Sequence, residues 1–311
     1  MLNDKTQPVY EYFLSQGFKP ITAENLSLFK QYENDTRLIQ LSATLTINWA
    51  SASNGSYKII MGYLCSIWFF NDGTYFCIQT DKNTTTPLKC LIDELYDLCI
   101  ASGLPDLKVN FIDEPLLGAW TNIEGYKVAS EYEQGLNEYV YDPNDILCLS
   151  GKENQNKRTI INKFSKMTDL NIVSLTKDTF SSCFEIERAW CATQDCPYCR
   201  SSFGCARDSL ETMQSIFNTT MYQGAFALLN NKPVAYAIWE KNKNTTFLYF
   251  AKSSLDNFNI YWYYLLVNNY LFDVKNINVG CDMGIPGLRH FKTHLSKHTL
   301  LRNYLCVFCR E

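Results

Sequence analysis

The chain has 311 residues, with 46% hydrophobic and 14% aromatic side chains, enough to build two domains with separate cores. Its 28 Lys and Arg against 32 Asp and Glu give a formal charge of -4, which excludes the overall basic field of a general nucleic-acid binder but leaves room for a local basic site. Thirteen cysteines are an odd number in a long chain, so free thiols or metal ligands are expected rather than a disulfide framework.

The opening segment carries Asp4 where a secretory signal would be basic, and no apolar run follows, so the chain is expected to stay in the cytoplasm. Glu24–Tyr32 and Leu41–Trp49 have helical spacing. The longest apolar run, Ile59–Phe70, is too short to cross a bilayer and is broken by Gly62 and Ser66, so it reads as buried strand. Tyr57–Trp68 and Thr74–Gln79 are expected as strands around the turn Asn71-Asp72-Gly73, followed by an amphipathic helix at Leu88–Ile100 and a strand at Leu107–Ile112.

The polar, acidic stretch Gly125–Asn137 is taken as a boundary, centred near Gly135. Beyond it, the strand Glu138–Tyr141 runs into Asp142-Pro143, a helix-start signal. Helices are expected at Asn154–Met167, Phe180–Ala192 and Asp208–Tyr222, with a strand at Ile172–Leu175 and a cysteine-rich loop before the third helix. Three strands follow at Ala225–Leu229, Val234–Glu240 and Thr246–Ala251, linked by Asn-rich turns. Helix Ile260–Phe272, strand Ile277–Val279, helix Ile285–Leu295 and strand Leu301–Phe308 close the chain. Helices, a meander, then a helix and further strands describe an α+β domain with a helix-covered sheet, an order compatible with an acyltransferase of the GNAT type.

Two segments carry a family likeness. One is Tyr139-Val140-Tyr141-Asp142 with Leu149-Ser150-Gly151-Lys152, Lys157-Arg158 and Ile161-Asn162-Lys163-Phe164; the other is Asp282-Met283-Gly284-Ile285-Pro286-Gly287-Leu288-Arg289 with Lys292 and Tyr304. Together they resemble the phosphatidylglycerol lysyltransferase C-terminal-domain family, well over the C-terminal half and by general layout over the first. The resemblance implies two GNAT-like (acyl-CoA N-acyltransferase-like) domains in tandem, with mixed sheets covered by helices. Residues 1–135 would form the N-terminal domain, and 136–311 the C-terminal domain carrying the candidate site.

It further implies a transferase that moves an aminoacyl or acyl group from an activated donor, aminoacyl-tRNA or acyl-CoA, to an amine or hydroxyl of a small-molecule or peptide acceptor. The acceptor end of tRNA would then be a partner. Lipid headgroups are acceptors in members that also carry membrane spans, and none is visible here. The sequence also departs from the family. Where the pattern runs Asn-Arg-Glu, one residue, then Asp, this chain has Asn278-Val279-Gly280-Cys281-Asp282. Where acyl-CoA-dependent enzymes wrap a pyrophosphate in glycine amides, Lys252-Ser253-Ser254-Leu255-Asp256-Asn257 has no glycine and adds an acid, which disfavours acyl-CoA held in the usual manner.

Several residues invite roles. At about 100° per residue, Lys157 projects between Ile161 and Phe164 on the apolar side of its helix, where an unpaired ammonium would be costly. It either grips a phosphate or tRNA end with Lys152 and Arg158, or snorkels or pairs structurally. The Asp282–Gly287 turn can bind anions on exposed amides, with Gly284 and Gly287 allowing close approach and Lys292 nearby. There Asp282 would act as general base or amine-orienting carboxylate and Arg289 would hold a phosphate or carboxylate; the plainer reading is an N-cap with a surface arginine. Cys191, Cys196, Cys199 and Cys205 suit a zinc site, or a free-thiol loop with Arg200 and Arg207 lowering thiol pKa values. His290, His294 and His298 recur every fourth residue; two could chelate a metal, but with Lys292 and Lys297 nearby and no carboxylate in the run a helix-surface role is expected. No Gly-x-Ser-x-Gly, Walker or Rossmann pattern occurs, which sets those enzyme classes aside. Two readings stand beside the transferase: a catalytically silent binding or regulatory protein on the same scaffold, and a metal or redox module centred on the cysteine loop.

Overall fold

The computed structural model describes residues 6–33, 37–70, 73–81, 83–193, 206–217 and 222–311. They form two compact units. One gathers the described residues of Met1–Gln134, Tyr198–Thr212 and Leu301–Glu311, the other those of Gly135–Pro197 and Met213–Leu300. Among the described residues no helix is long and apolar enough to cross a membrane.

The first unit opens with α1 (Thr6–Ser15), which periodicity alone did not reveal, then β1 (Lys19–Pro20), α2 (Leu26–Tyr32) and α3 (Ala43–Ser53). The expected single strand over Tyr57–Trp68 is a hairpin, β2 (Ser56–Ile60) and β3 (Tyr63–Phe70), turning at Met61-Gly62 with Ile60 opposite Tyr63. β4 (Gly73–Thr80), α4 (Leu88–Ala101), β5 (Leu107–Asp113), α5 (Leu117–Thr121) and β6 (Tyr126–Tyr132) follow. The strand β6 lies in the stretch read as a polar boundary. It is an edge strand held by backbone pairing along its whole length, so an apolar alternation was never required of it.

The second unit holds β7 (Glu138–Tyr141), α6 (Pro143–Leu147), α7 (Gln155–Phe164), β8 (Leu170–Ser174) and α8 (Ser181–Thr193). After α9 (Ala206–Ile216) come β9 (Tyr222–Leu229), β10 (Lys232–Asn242), β11 (Thr245–Ser253), α10 (Phe258–Leu266), β12 (Asn276–Cys281), α11 (Pro286–Leu295) and β13 (Thr299–Leu301). The last strand, β14 (Asn303–Arg310), was expected to close the C-terminal sheet; it lies in the first sheet instead, between β5 and β6. Its side chains decide this, because Cys306 and Phe308 are fully buried in the core of the first unit.

The two sheets share one plan. The first runs β1-β2-β3-β4-β5-β14-β6 and the second β8-β9-β10-β11-β12-β7-β13. In each, an antiparallel meander passes through one helix, α4 or α10, to a parallel partner, β5 or β12, which pairs antiparallel with a strand from another part of the chain. Each of these partners carries an extra residue against that strand, beside Phe111 (φ 58) in β5 and Gly280 (φ 68) in β12. Such a bulge bends its strand away from the neighbouring ladder.

Alternation along β10 sends Ala235, Ala237 and Trp239 into one core with Ile161, Phe164, Phe258 and Trp262 from α7 and α10. The intervening Tyr236 and Ile238 are buried on the other face, on which α8 packs, with the Tyr236 hydroxyl 3.5 Å from Glu187 of that helix. A large side chain buried in this way contributes about 1.5–3 kcal/mol.

Candidate functional site

The strands β11 and β12 pair only through Thr245–Phe247 with Asn276–Asn278, although β11 runs on to Ser253 and β12 to Cys281. Beyond the bulge the two part. Because they are parallel, their carboxyl ends lie on the same side of the sheet, the side where ligands meet α/β crossovers.

At the end of β12 stands Asp282, fully buried and with both oxygens engaged. Its Oδ2 accepts from the Tyr139 hydroxyl at 2.8 Å and Arg289 Nε at 2.9 Å, and its Oδ1 from the Gly284 amide at 2.8 Å and Arg289 Nη2 at 3.0 Å. Burial works to raise the carboxyl's pKa, but these hydrogen bonds together outweigh it and hold the group below the ordinary carboxylate value. Burial and the adjacent carboxylate push the Tyr139 hydroxyl up. The turn itself is bent by Met283 (φ 53) and Gly284 (φ 71), two successive residues in the left-handed region. The Met283 amide donates to the Gly135 carbonyl at 2.9 Å. Gly135 must be glycine for this approach, since a Cβ there would stand 2.7 Å from the Gly284 nitrogen.

Pro286 occupies the first turn of α11, Gly287 is exposed with open space beside it, and the Arg289 side chain is 34% exposed. The turn thus offers a guanidinium clamped in plane by a buried carboxylate, next to the first amides of a helix. That arrangement can receive a phosphate or carboxylate.

Lys292, also expected to contact anions, faces inward. The residue is 5% exposed, and its ammonium donates to the carbonyls of Val279, Gly280 and Cys281 at 2.7, 3.0 and 2.7 Å. Burial pushes its pKa down to about 8. All three donors are spent on the bulged end of β12, so Lys292 shapes the strand that carries Asp282. Beside it, the fully buried Glu138 accepts from the Asn278 side-chain Nδ2 at 2.6 Å.

At the end of β11 the loop does not offer a phosphate cradle. The Ser254 amide donates to the Val234 carbonyl (2.9 Å), Leu255 to Ser253 Oγ (3.0 Å) and Phe258 to the Leu255 carbonyl (3.3 Å). With these donors turned inward and Asp256 exposed, the residues do not fit an acyl-CoA pyrophosphate. Lys252 is ion-paired with Glu187, which is 1% exposed, and lies 4.1 Å over the Trp190 ring. No local pattern announced this cluster, because its members come from α8 and β11.

Lys157 is buried, as its helical position required, and its partners are backbone carbonyls: Asp145 at 3.4 Å, Ile146 at 3.5 Å and Cys148 at 3.5 Å. It therefore caps the end of α6, and burial lowers its pKa. Arg158 donates to the carbonyls of Leu149 and Gly151, and Lys152 is exposed ahead of α7. Lys157 and Arg158 are thus bound to the segment before α7, in which Lys152 itself lies, and their hydrogen bonds are separate from those of Asp282.

Of the cysteine loop, Cys196, Cys199 and Cys205 lie outside the described residues; Cys191, on α8, is half-buried. Among the described residues no group of three His, Cys, Asp or Glu is placed to hold a metal. His290 and His294 stack on the exposed side of α11, whereas His298 packs on Tyr139 and Tyr141.

The family described as "Phosphatidylglycerol lysyltransferase, C-terminal" matches residues 112–306. No curated protein matches the chain. Among solved structures, a conserved protein of unknown function from Bacteroides thetaiotaomicron VPI-5482 is 21% identical with a TM-score of 0.82, over 94% of this chain and 99% of that one. The L-PGS from Bacillus licheniformis is 12% identical, TM-score 0.63, over 91% and 90%. A tandem GNAT protein from the clavulanic acid biosynthesis pathway is 9% identical, TM-score 0.50, over 94% and 98%. The fold, two helix-covered mixed sheets of seven strands each, is the tandem GNAT fold.

Proposed function

Since the chain belongs to the phosphatidylglycerol lysyltransferase C-terminal family, we propose that it transfers an aminoacyl group from aminoacyl-tRNA to an amine or hydroxyl acceptor, with Arg289 as the anion-binding residue of the donor site. The supporting observation is the contrast between the two strand ends. The β11 loop has turned its amides inward, which speaks against acyl-CoA, while the β12 turn presents Arg289 held by Asp282. In such a reaction the acceptor nitrogen or oxygen attacks the ester carbonyl, a tetrahedral oxyanion forms, and the bond to the ribose oxygen breaks as the acceptor's proton passes to that oxygen.

Asp282 enters as the carboxylate that fixes Arg289 and Tyr139. Its lowered pKa and its four hydrogen bonds argue against service as a proton acceptor. Arg289 and the first amides of α11 then meet a phosphate of the tRNA acceptor end. Localisation in the cytoplasm, where charged tRNA is available, goes with this reading. The absence of the family's Arg and Glu ahead of Asp282 favours a second reading, a protein that binds the same donor without turnover.

The test supplies radiolabelled aminoacyl-tRNA and acyl-CoA in parallel to the purified chain with a panel of amines and hydroxyl compounds, and repeats it with Arg289→Ala. Transfer from aminoacyl-tRNA, reduced about a hundredfold or more by the substitution, is expected. Donor binding without transfer would support the second reading. Transfer from acyl-CoA alone, or full activity in Arg289→Ala, would overturn the proposal.

A further inference from the structure

His290 and His294 lie one turn apart on α11, both exposed, with ring centroids 4.1 Å apart and planes 30° from parallel. The Nδ1 of His294 is 2.7 Å from the backbone carbonyl oxygen of His290. A carbonyl only accepts, so in the neutral ring the hydrogen sits on Nδ1 and the lone pair is on Nε2. That is the tautomer a metal takes, and the bond to the carbonyl is the outer contact that metal-bound histidines ordinarily make.

Helical residues four apart share one face, with Cβ atoms about 5–6 Å apart, a spacing at which two imidazoles can meet at one cation. The pair is also near the carboxyl end of α11, where carbonyls without helical partners favour positive charge. His298 is directed elsewhere, its ring 5.1 Å from that of Tyr139 and 6.0 Å from that of Tyr141. Between the two histidines in sequence, Lys292 points inward to the strand-end carbonyls, so its ammonium is not beside the rings' outer nitrogens.

We propose that His290 and His294 form a two-nitrogen site for a divalent transition metal of the Zn2+ class, with water completing its coordination. Imidazole nitrogen suits such metals rather than Mg2+ or Ca2+. Among the described residues no third His, Cys, Asp or Glu joins the pair. The site is therefore open and exchangeable, unlike a closed four-ligand structural zinc. The inference is independent of the transfer reaction. A metal here would clamp the helix that presents Arg289 one residue before the first histidine.

The experiment titrates the full, reduced, EDTA-stripped chain with Co2+ and then displaces it with Zn2+. Saturable Co2+ binding is expected without a thiolate-to-metal charge-transfer band. His290→Ala and His294→Ala should each weaken it about tenfold or more, while His298→Ala leaves it unchanged. Because the two paired residues are exposed, circular dichroism should show both variants folded. Binding unchanged in both variants, binding dominated by thiolate charge transfer from the cysteine-rich segment, or no saturable binding would each overturn the proposal.

Discussion

Lys292→Met keeps a side chain of similar length but removes an ammonium bound to three carbonyls of β12. Two effects oppose each other at neutral pH. Losing the donors costs about 1 kcal/mol for each of the three carbonyls, about 3 kcal/mol together. The variant no longer buries a charge, however, and the cost of that burial is what lowers the folded pKa from 10.5 to about 8. A shift of that size corresponds to about 3 kcal/mol. At pH 7 wild type and variant should therefore differ by no more than about 1 kcal/mol. Between the two pKa values the unfolded chain holds a proton that the folded chain has released, so wild-type stability rises with pH by about 1.4 kcal/mol per unit there; below about pH 8 both states hold the proton and this gain is gone. The variant lacks this slope. Burial raises the pKa of Tyr141 and Tyr263 as well, which weakens both proteins at alkaline pH equally and cancels in the difference. Urea denaturation of both proteins should show wild type pulling ahead by about 2 kcal/mol between about pH 8 and pH 9.5. A gap already present at pH 7 and flat with pH would refute the reasoning, because it would mean that the carbonyls fully offset the burial of the charge.

Gly135→Ala places a methyl 2.7 Å from the Gly284 nitrogen and 3.1 Å from its Cα, both backbone atoms that cannot step aside without moving the Asp282 turn. A loss of about 1–3 kcal/mol in thermal or urea unfolding is expected, together with reduced donor transfer; wild-type values on both would count against the proposed role of the turn. Arg310→Ala removes a guanidinium that donates to Asp97 at 2.8 Å and the Tyr126 hydroxyl at 3.0 Å and lies 4.8 Å over the Tyr96 ring. Hydrogen exchange should then quicken at the β14 amides while those of β12 keep their protection.

Most of the local structure could be read from spacing. The helices α4, α7 and α11 follow apolar periodicity, and Pro286 and Gly287 mark the turn into α11. The inward position of Lys157 was equally plain, because Ile161 and Phe164 flank it on the helical wheel. Its partners were not, because carbonyls at the end of α6 leave no trace in residue type. Lys292 was misjudged for the same reason: a lysine near an anion-binding turn looks like a ligand until the strand-end carbonyls are seen around it. Tyr139 and Asp282 stand 143 positions apart, and nothing local to either announces the bond between them. The placement of β14 was hidden too, since alternation tells which face of a strand is apolar but not which of two similar sheets will accept it.

The position of β14 bears on how the chain matures on the ribosome. Domains are usually finished in the order they are translated. Here the strand that fills the gap between β5 and β6, with Cys306 and Phe308, is translated only after every residue of the second unit. The early unit must wait with an open seam and exposed apolar surface, whereas the later one already has all of its strands. For nascent chains stalled just short of Asn303, it is the N-terminal unit that should engage chaperones and be cut first by protease.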